Sequence, residues 1–263
     1  MPVPAGPLVL DSRQDDTNLS AMTHSAPENR RATLVSFSGI DGAGKSSQIE
    51  LLVARLKQAG FGVALLAFWD DVAMLTRVRE FSGHALFKGE KGVGAPDKPV
   101  NRQDKNVRSW YMTAVRFALY FLDAVSLCFV VARQRRSNDN VIIFDRYLHD
   151  ELANLALKDS LSRLYARLLL TLTPQPDIAY LLDADPEKAR ERKPEYPVDF
   201  LHQNRAAYLT LSEMGGGMTV IAPLPIADAA DRIFEEARKK LSPNDWQPCS
   251  APAQSVATAP KLG

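Results

Sequence analysis

The chain is predicted to fold as an α/β domain, a five-stranded parallel sheet covered by helices on both faces. Two observations carry this. Five short apolar runs alternate with helical stretches between residues 31 and 241, the pattern of strands joined by crossover helices. A glycine-rich turn, Gly39-Ile-Asp41-Gly-Ala-Gly44-Lys45-Ser46, separates the first run from the first helix. At 263 residues, 46% apolar and 24% charged, the chain suits one sizeable domain with tails.

Residues 1–30 carry Pro2, Pro4 and Pro7 and no hydrophobic period, so a disordered N-terminal tail is expected. It has neither the basic start nor the apolar core of a signal peptide, which points to a cytoplasmic setting. Leu34–Phe37 reads as the first strand. Ile49, Leu52, Val53 and Leu56 fall at i, i+3, i+4 and i+7, one face of a helix. Gly60-Phe-Gly62 turns the chain into a second strand, Val63–Phe68, a continuous apolar run of the kind buried in parallel sheets. Beyond Trp69-Asp70-Asp71 a short helix is expected over Val72–Phe81. Gly83–Gln103, rich in Gly, Lys and Pro, reads as either a flap over a bound acceptor or an exposed loop.

Asn106–Arg136 reads as one long helix with an apolar middle. Only 16 residues lie between Arg116 and Arg133, and Asp123 interrupts them, so a core helix is expected rather than a membrane span. Its outer face is a candidate contact with a second subunit. The third strand is Asn140–Phe144, followed by helical segments at Leu148–Leu157 and Leu161–Leu172. Asp177–Asp183 is the fourth strand and Ala184–Arg192 the next helix. A charged turn, Lys193–Pro197, leads to a helix at Val198–Ser212. Met218–Ala222 is the fifth strand, and Ile226, Ala230, Ile233, Phe234 and Ala237 give the last helix its buried face. Residues 242–263 are expected to be a second disordered tail.

The turn after the first strand fits G-x-x-x-x-G-K-[ST]. Its glycines let successive backbone N–H groups face phosphate oxygens, Lys45 adds a positive charge and Ser46 a hydroxyl for Mg²⁺. Gly39, Asp41, Gly42, Ala43, Gly44, Lys45, Ser46 and Ser47 are therefore the candidate nucleotide-binding residues. Asp145, closing the third strand, either serves the metal with Ser46 or caps the next helix. Arg146 either grips an acceptor phosphate through its planar fork or pairs with an acidic neighbour. Arg190, Arg192 and Lys193 form either a lid over the transferring phosphoryl group or a solvated face. Tyr120 and Phe121 either stack on an acceptor or belong to the core.

With 32 basic and 31 acidic residues, the charge balance gives no sign of a nucleic-acid or membrane partner. Four scattered histidines and two isolated cysteines, Cys128 and Cys249, leave no zinc-ligand spacing and suit a reduced compartment.

The loop, the triplet Asp145-Arg146-Tyr147, Tyr180-Leu-Leu-Asp-Ala-Asp-Pro-Glu187 and Asn204-Arg-Ala-Ala-Tyr-Leu209 together resemble thymidylate kinase. The resemblance spans residues 33–241 and implies a P-loop NTPase three-layer sandwich, ATP and Mg²⁺, a dTMP-like acceptor and commonly a homodimer. It also implies that Lys45 and Ser46 serve the donor, that Asp41 and Arg146 lie near the acceptor, and that Asp145 serves the metal. Three departures stand out: Trp69-Asp70-Asp71 replaces the family's Arg-Glu-Pro element, the lid is short, and the long helix lacks the arginine that the family carries one turn beyond Tyr120 and Phe121. Asp70 at the end of the second strand suits a general base for a hydroxyl acceptor, so a kinase of a nucleoside or small alcohol stays open. So does a non-catalytic ATP-binding regulator.

Overall fold

The computed structural model describes residues 31–73, 110–137, 139–215 and 217–241. Both tails, the flap at 83–103, most of the helix expected at 72–81 and the start of the long helix lie outside the described residues. Strands β1 (Thr33–Ser38), β2 (Val63–Ala67), β3 (Val141–Asp145), β4 (Ile178–Leu182) and β5 (Met218–Ile221) form one parallel sheet in the order β2-β3-β1-β4-β5. The helices are α1 (Lys45–Gln58), α2 (Trp110–Gln134), α3 (Leu148–Leu152), α4 (Ser160–Leu172), α5 (Pro186–Arg192), α6 (Val198–Gly215) and α7 (Ile226–Lys240).

Alternate side chains of each strand face opposite sides of the sheet, and each side has its own core. Leu34, Ile142, Phe144 and Leu181 pack with Leu127, Leu148, Leu169 and Leu211 from α2, α3, α4 and α6. Val35, Phe37, Ile143 and Tyr180 pack with Ile49, Leu52 and Leu56 of α1 and Ile233 of α7. Right-handed crossovers require this division. The link from β1 to β2 steps one way across the sheet, through α1, whereas the link from β4 to β5 steps the other way, through α5 and α6. The connections diverge between β1 and β4, which opens a crevice beyond the carboxyl ends of those strands.

Three sequence expectations change here. The second strand stops at Ala67, and Phe68–Val72 form one turn of π-helix. The Asp71 carboxylate accepts the Ala67 N–H at 2.7 Å and stabilises this turn. The β2 run is also less buried than its composition suggests: β2 is an edge strand paired with β3, and Leu65 is 52% exposed. Apolar composition alone does not distinguish an edge strand from a central one. The helix expected to reach Leu157 ends at Leu152.

Helix α2 buries Tyr120, Ala124, Leu127 and Val131, one stripe at helical spacing, against the sheet, together with Asp123. Its other face is apolar and open, with Phe129 73% exposed. By length and composition alone, Thr113–Gln134 matches a bilayer span, with mean hydropathy 1.9. The buried stripe instead makes α2 a layer of this domain.

His149 in α3 is buried, its Nδ1 has no hydrogen-bond partner among the described residues, and burial lowers its pKa to about 4 against a weak opposing pull from Asp150. The unfolded chain holds a histidine proton near pH 6.5. Between those values the unfolded state binds more protons, so stability rises with pH across this window and is lost as pH falls through it. His149→Phe is expected to flatten the dependence, removing about 3 kcal/mol of acid destabilisation. Urea unfolding at pH 4 and pH 7 measures it.

Candidate active site

The glycine-rich loop begins where β1 ends. Gly39 and Gly42 have φ of +143° and +83°, and a Cβ on either would lie 2.5 Å from the Leu182 carbonyl oxygen or 2.2 Å from that of Ala189. The loop thus presses against the end of β4 and against α5, with no room for side chains at these points. Gly44 caps α1 in the left-handed conformation, without a side-chain cap, so the first N–H groups of α1 stay available to an anion. The Lys45 ammonium, buried, folds back across the loop and donates to the carbonyl oxygens of Gly39 at 2.7 Å and Ile40 at 3.0 Å. Burial, reinforced by nearby Arg146, lowers its pKa to about 8, while Asp150, Asp41 and Asp145 oppose the shift.

A cleft of about 530 Å³ opens beside this loop at the β1/β4 divergence, lined by Asp41–Gln48, Asp145, Arg146, Asp183, Arg192 and Lys193. That volume suits a nucleotide. Pro223, Leu224 and Ile226 give its far wall an apolar surface.

Asp145 and Arg146 reach the cleft because β3 lies directly beside β1, with Phe37 opposite Asp145. Burial raises the Asp145 pKa, only partly offset by Arg146 and Lys45. Arg146 has φ +69°, a left-handed conformation that costs a non-glycine residue on the order of 1–2 kcal/mol. Its N–H donates to the Phe37 carbonyl at 3.0 Å, and its guanidinium pairs with Asp41 and, at 3.5 Å, with Asp150. Burial acts to raise the Asp41 pKa, but Arg146 and Lys45 outweigh it and hold the carboxyl below its usual range. Against burial, Asp150 and Asp41 keep the Arg146 pKa above its ordinary value.

The sequence-selected residues do not all meet here. Arg192 and Lys193 line the cleft; Arg190 does not. Asp70 is exposed at the end of the edge strand, two strands from β1 and thus about 10 Å across the sheet. Tyr120 belongs to the core and Phe121 points outward from α2, so the structure separates this pair. Four further residues, Asp150, Asp183, Arg205 and Tyr208, had no role assigned from the sequence. Arg205 of α6 holds Asp183 with two 2.6 Å bonds, and Tyr208 donates to buried Asp150 at 2.8 Å. Spacing on α6 was the available signal, since Arg205 and Tyr208 at i and i+3 share one helix face.

This sheet, loop and buried lysine define a P-loop α/β protein with a cleft beside the loop. No protein-family profile matches the chain. The thymidylate kinase of Bifidobacterium longum strain DJO10A is 28% identical over 188 residues, which cover 68% of this chain and 82% of that protein. A probable thymidylate kinase of Archaeoglobus fulgidus is 22% identical over 215 residues, 79% of this chain and 94% of its own. In fold the chain is similar to the crystal structure of thymidylate kinase from Ehrlichia chaffeensis, with a TM-score of 0.50 at 16% identity, covering 80% of this chain and 99% of that one. The chain is thus similar to thymidylate kinases in sequence and in fold.

Proposed function

We propose that residues 31–241 form an ATP-dependent nucleoside monophosphate kinase that converts dTMP and ATP to dTDP and ADP. The observation carrying this reading is that Lys45, Ser46, Asp145 and Arg146 all face one cleft at the β1/β4 divergence. The backbone amides of Gly42–Ser46 cradle the β- and γ-phosphates, and Lys45 exchanges its two carbonyl partners for phosphate oxygens. Arg146 and Asp41 stand on the acceptor side, and Arg192 with Lys193 bring charge to the transferring group. An acceptor phosphate oxygen attacks the γ-phosphorus, the β–γ bridging P–O bond breaks, and ADP leaves with that bonding pair.

The Ser46 hydroxyl and the Asp145 carboxylate are hard oxygen donors on the same cleft wall, a set that fits Mg²⁺ shared with substrate phosphates. Mg²⁺ held there would neutralise negative charge on the substrate phosphates. The same reading puts the enzyme in the cytoplasm, where ATP is at hand. It also makes the chain a homodimer joined through the open apolar faces of α2 and α4, where Phe129, Leu164 and Leu168 are exposed. Phe129→Glu is expected to shift sedimentation from dimer to monomer.

A second reading, a kinase of a nucleoside or another hydroxyl acceptor, draws support from Asp41 and Asp150, which already balance the Arg146 charge. ADP release with dTMP, thymidine and other acceptors separates the two. Turnover of thymidine without dTMP would favour the second, and ATP binding without acceptor-stimulated release would favour a regulator.

Lys45 must carry its proton to hold phosphate, and kcat/KM for ATP reports the free enzyme. With a lysine pKa of about 8, that parameter is expected to decline as pH rises through 8. A profile flat to pH 10 contradicts the assignment.

A further inference from the structure

We infer that Asp150 is a positioning residue of the reaction, which together with Tyr208 of α6 holds the Arg146 guanidinium over the cleft. This rests on the phosphoryl-transfer reading above. The Asp150 carboxylate is fully enclosed and receives four donors: Ser38 Oγ at 2.6 Å, Tyr208 Oη at 2.8 Å, the Tyr147 N–H at 3.0 Å and Arg146 Nη1 at 3.5 Å. A carboxylate accepts about four hydrogen bonds, so every direction around Asp150 is used and the group cannot turn. These donors come from the end of β1, the end of β3 and the middle of α6, so one carboxylate ties three segments together at the cleft floor.

Arg146 needs this support. Its backbone is in an unfavourable conformation, which persists only where its surroundings over-determine it. Asp41 grips one part of the guanidinium from the phosphate loop and Asp150 another from α3. The fork is thereby set at a fixed angle beside the loop, and positioning of this kind is where most of the rate of phosphoryl transfer originates. Tyr208 is held in turn by its own helix, because Arg205 one turn earlier clamps Asp183 at the end of β4 through two bonds. The chain of contacts runs Asp183, Arg205, α6, Tyr208, Asp150, Arg146. A carboxylate that merely capped α3 would need the Tyr147 N–H alone.

Two readouts test the assignment, one independent of turnover. The first is hydrogen exchange of the Arg146 Nη–H groups and rotation about its Nε–Cζ bond, followed by NMR in the full chain. It is expected to be slow in the wild type and at least several-fold faster in Tyr208→Phe and Asp150→Asn. The second is steady-state kinetics with dTMP. Tyr208→Phe is expected to lower kcat/KM for dTMP about 10-fold and Asp150→Asn about 100-fold, the lower and upper ends of the range for a hydrogen bond to a charged group, with KM for ATP unchanged. In an Arg146→Lys background both losses shrink to less than twofold, since residues acting through one group are not additive. Tyr208→Phe removes a single hydroxyl and decides the matter if Asp150→Asn does not fold. Unchanged guanidinium exchange, or losses that add in full to that of Arg146→Lys, would overturn the inference. Absence of dTMP turnover in the wild type would instead reject the kinase reading, and the NMR comparison then decides the positioning role alone.

Discussion

Lys45→Ala is expected to lower kcat/KM for ATP by about 10³-fold, the cost of deleting one fixed charge aimed at a developing anion, with little loss of stability. The second half of that expectation is the more discriminating. Lys45 is buried and its pKa is depressed to about 8, so folding disfavours its charged form. Removing it relieves that cost while leaving the Gly39 and Ile40 carbonyls without their ammonium donor. These effects oppose each other, and the Tm of Lys45→Ala should stay within about 4 °C of the wild type, roughly 1 kcal/mol in a domain of this size. A residue kept only for structure would show the reverse pattern, a large fall in Tm with activity tracking the folded fraction. Thermal melts beside steady-state rates check both halves.

Gly42→Ala is expected to be the most damaging change in the loop. The new methyl meets two penalties: a φ of +83° and a carbonyl oxygen of Ala189 only 2.2 Å away. That oxygen is backbone in α5, so relief requires the loop or the helix to move. Strain and overpacking together cost about 3 kcal/mol, a Tm fall of roughly 6–12 °C. Because α5 leads into Arg192 and Lys193, the displacement also reaches the cation side of the cleft, and ATP affinity should fall about 100-fold. Gly44→Ala is the control. Its φ of +89° is as unfavourable, but a Cβ there meets nothing within 4 Å, so only the conformational cost of about 1 kcal/mol applies. The difference between the two alanine variants isolates the loop–α5 contact, and equal melting temperatures would show that the contact carries no weight.

The strands were legible in the sequence because each is a short apolar run bounded by turn residues, and the loop because its chemistry forces glycine at fixed spacing. The order of the strands was not. Nothing in Val63–Phe68 reveals that the run lies at the sheet edge, since edge and centre differ in neighbours and not in local composition. The π-helical turn at Phe68–Val72 was hidden for a related reason. It is held by Asp71 reaching back to the Ala67 N–H, a contact that resembles any acidic residue after a strand.

Near the cleft, Asp41, Lys45 and Ser46 could be selected from the glycine-rich loop that holds them, and Asp145 and Arg146 from their place at the end of a strand. Asp150 could not, because a carboxylate in the first turn of a helix is ordinary. Its weight comes from Ser38, 112 residues earlier, and Tyr208, 58 residues later. The Asp183–Arg205 clamp is likewise a product of the way α6 lies on the sheet. Sequence separation concealed the network that supports the site, while local pattern displayed the groups it supports.

In the proposed enzyme the amides of the loop after β1, with Lys45, hold the phosphates of ATP in the β1/β4 crevice. The most direct measurement is the set of backbone amide shifts during titration with ATP and Mg²⁺. The N–H signals of Gly42, Gly44, Lys45 and Ser46 are expected to move furthest and downfield. ATP binding that leaves these four signals in place while shifting others elsewhere on the molecule would contradict it.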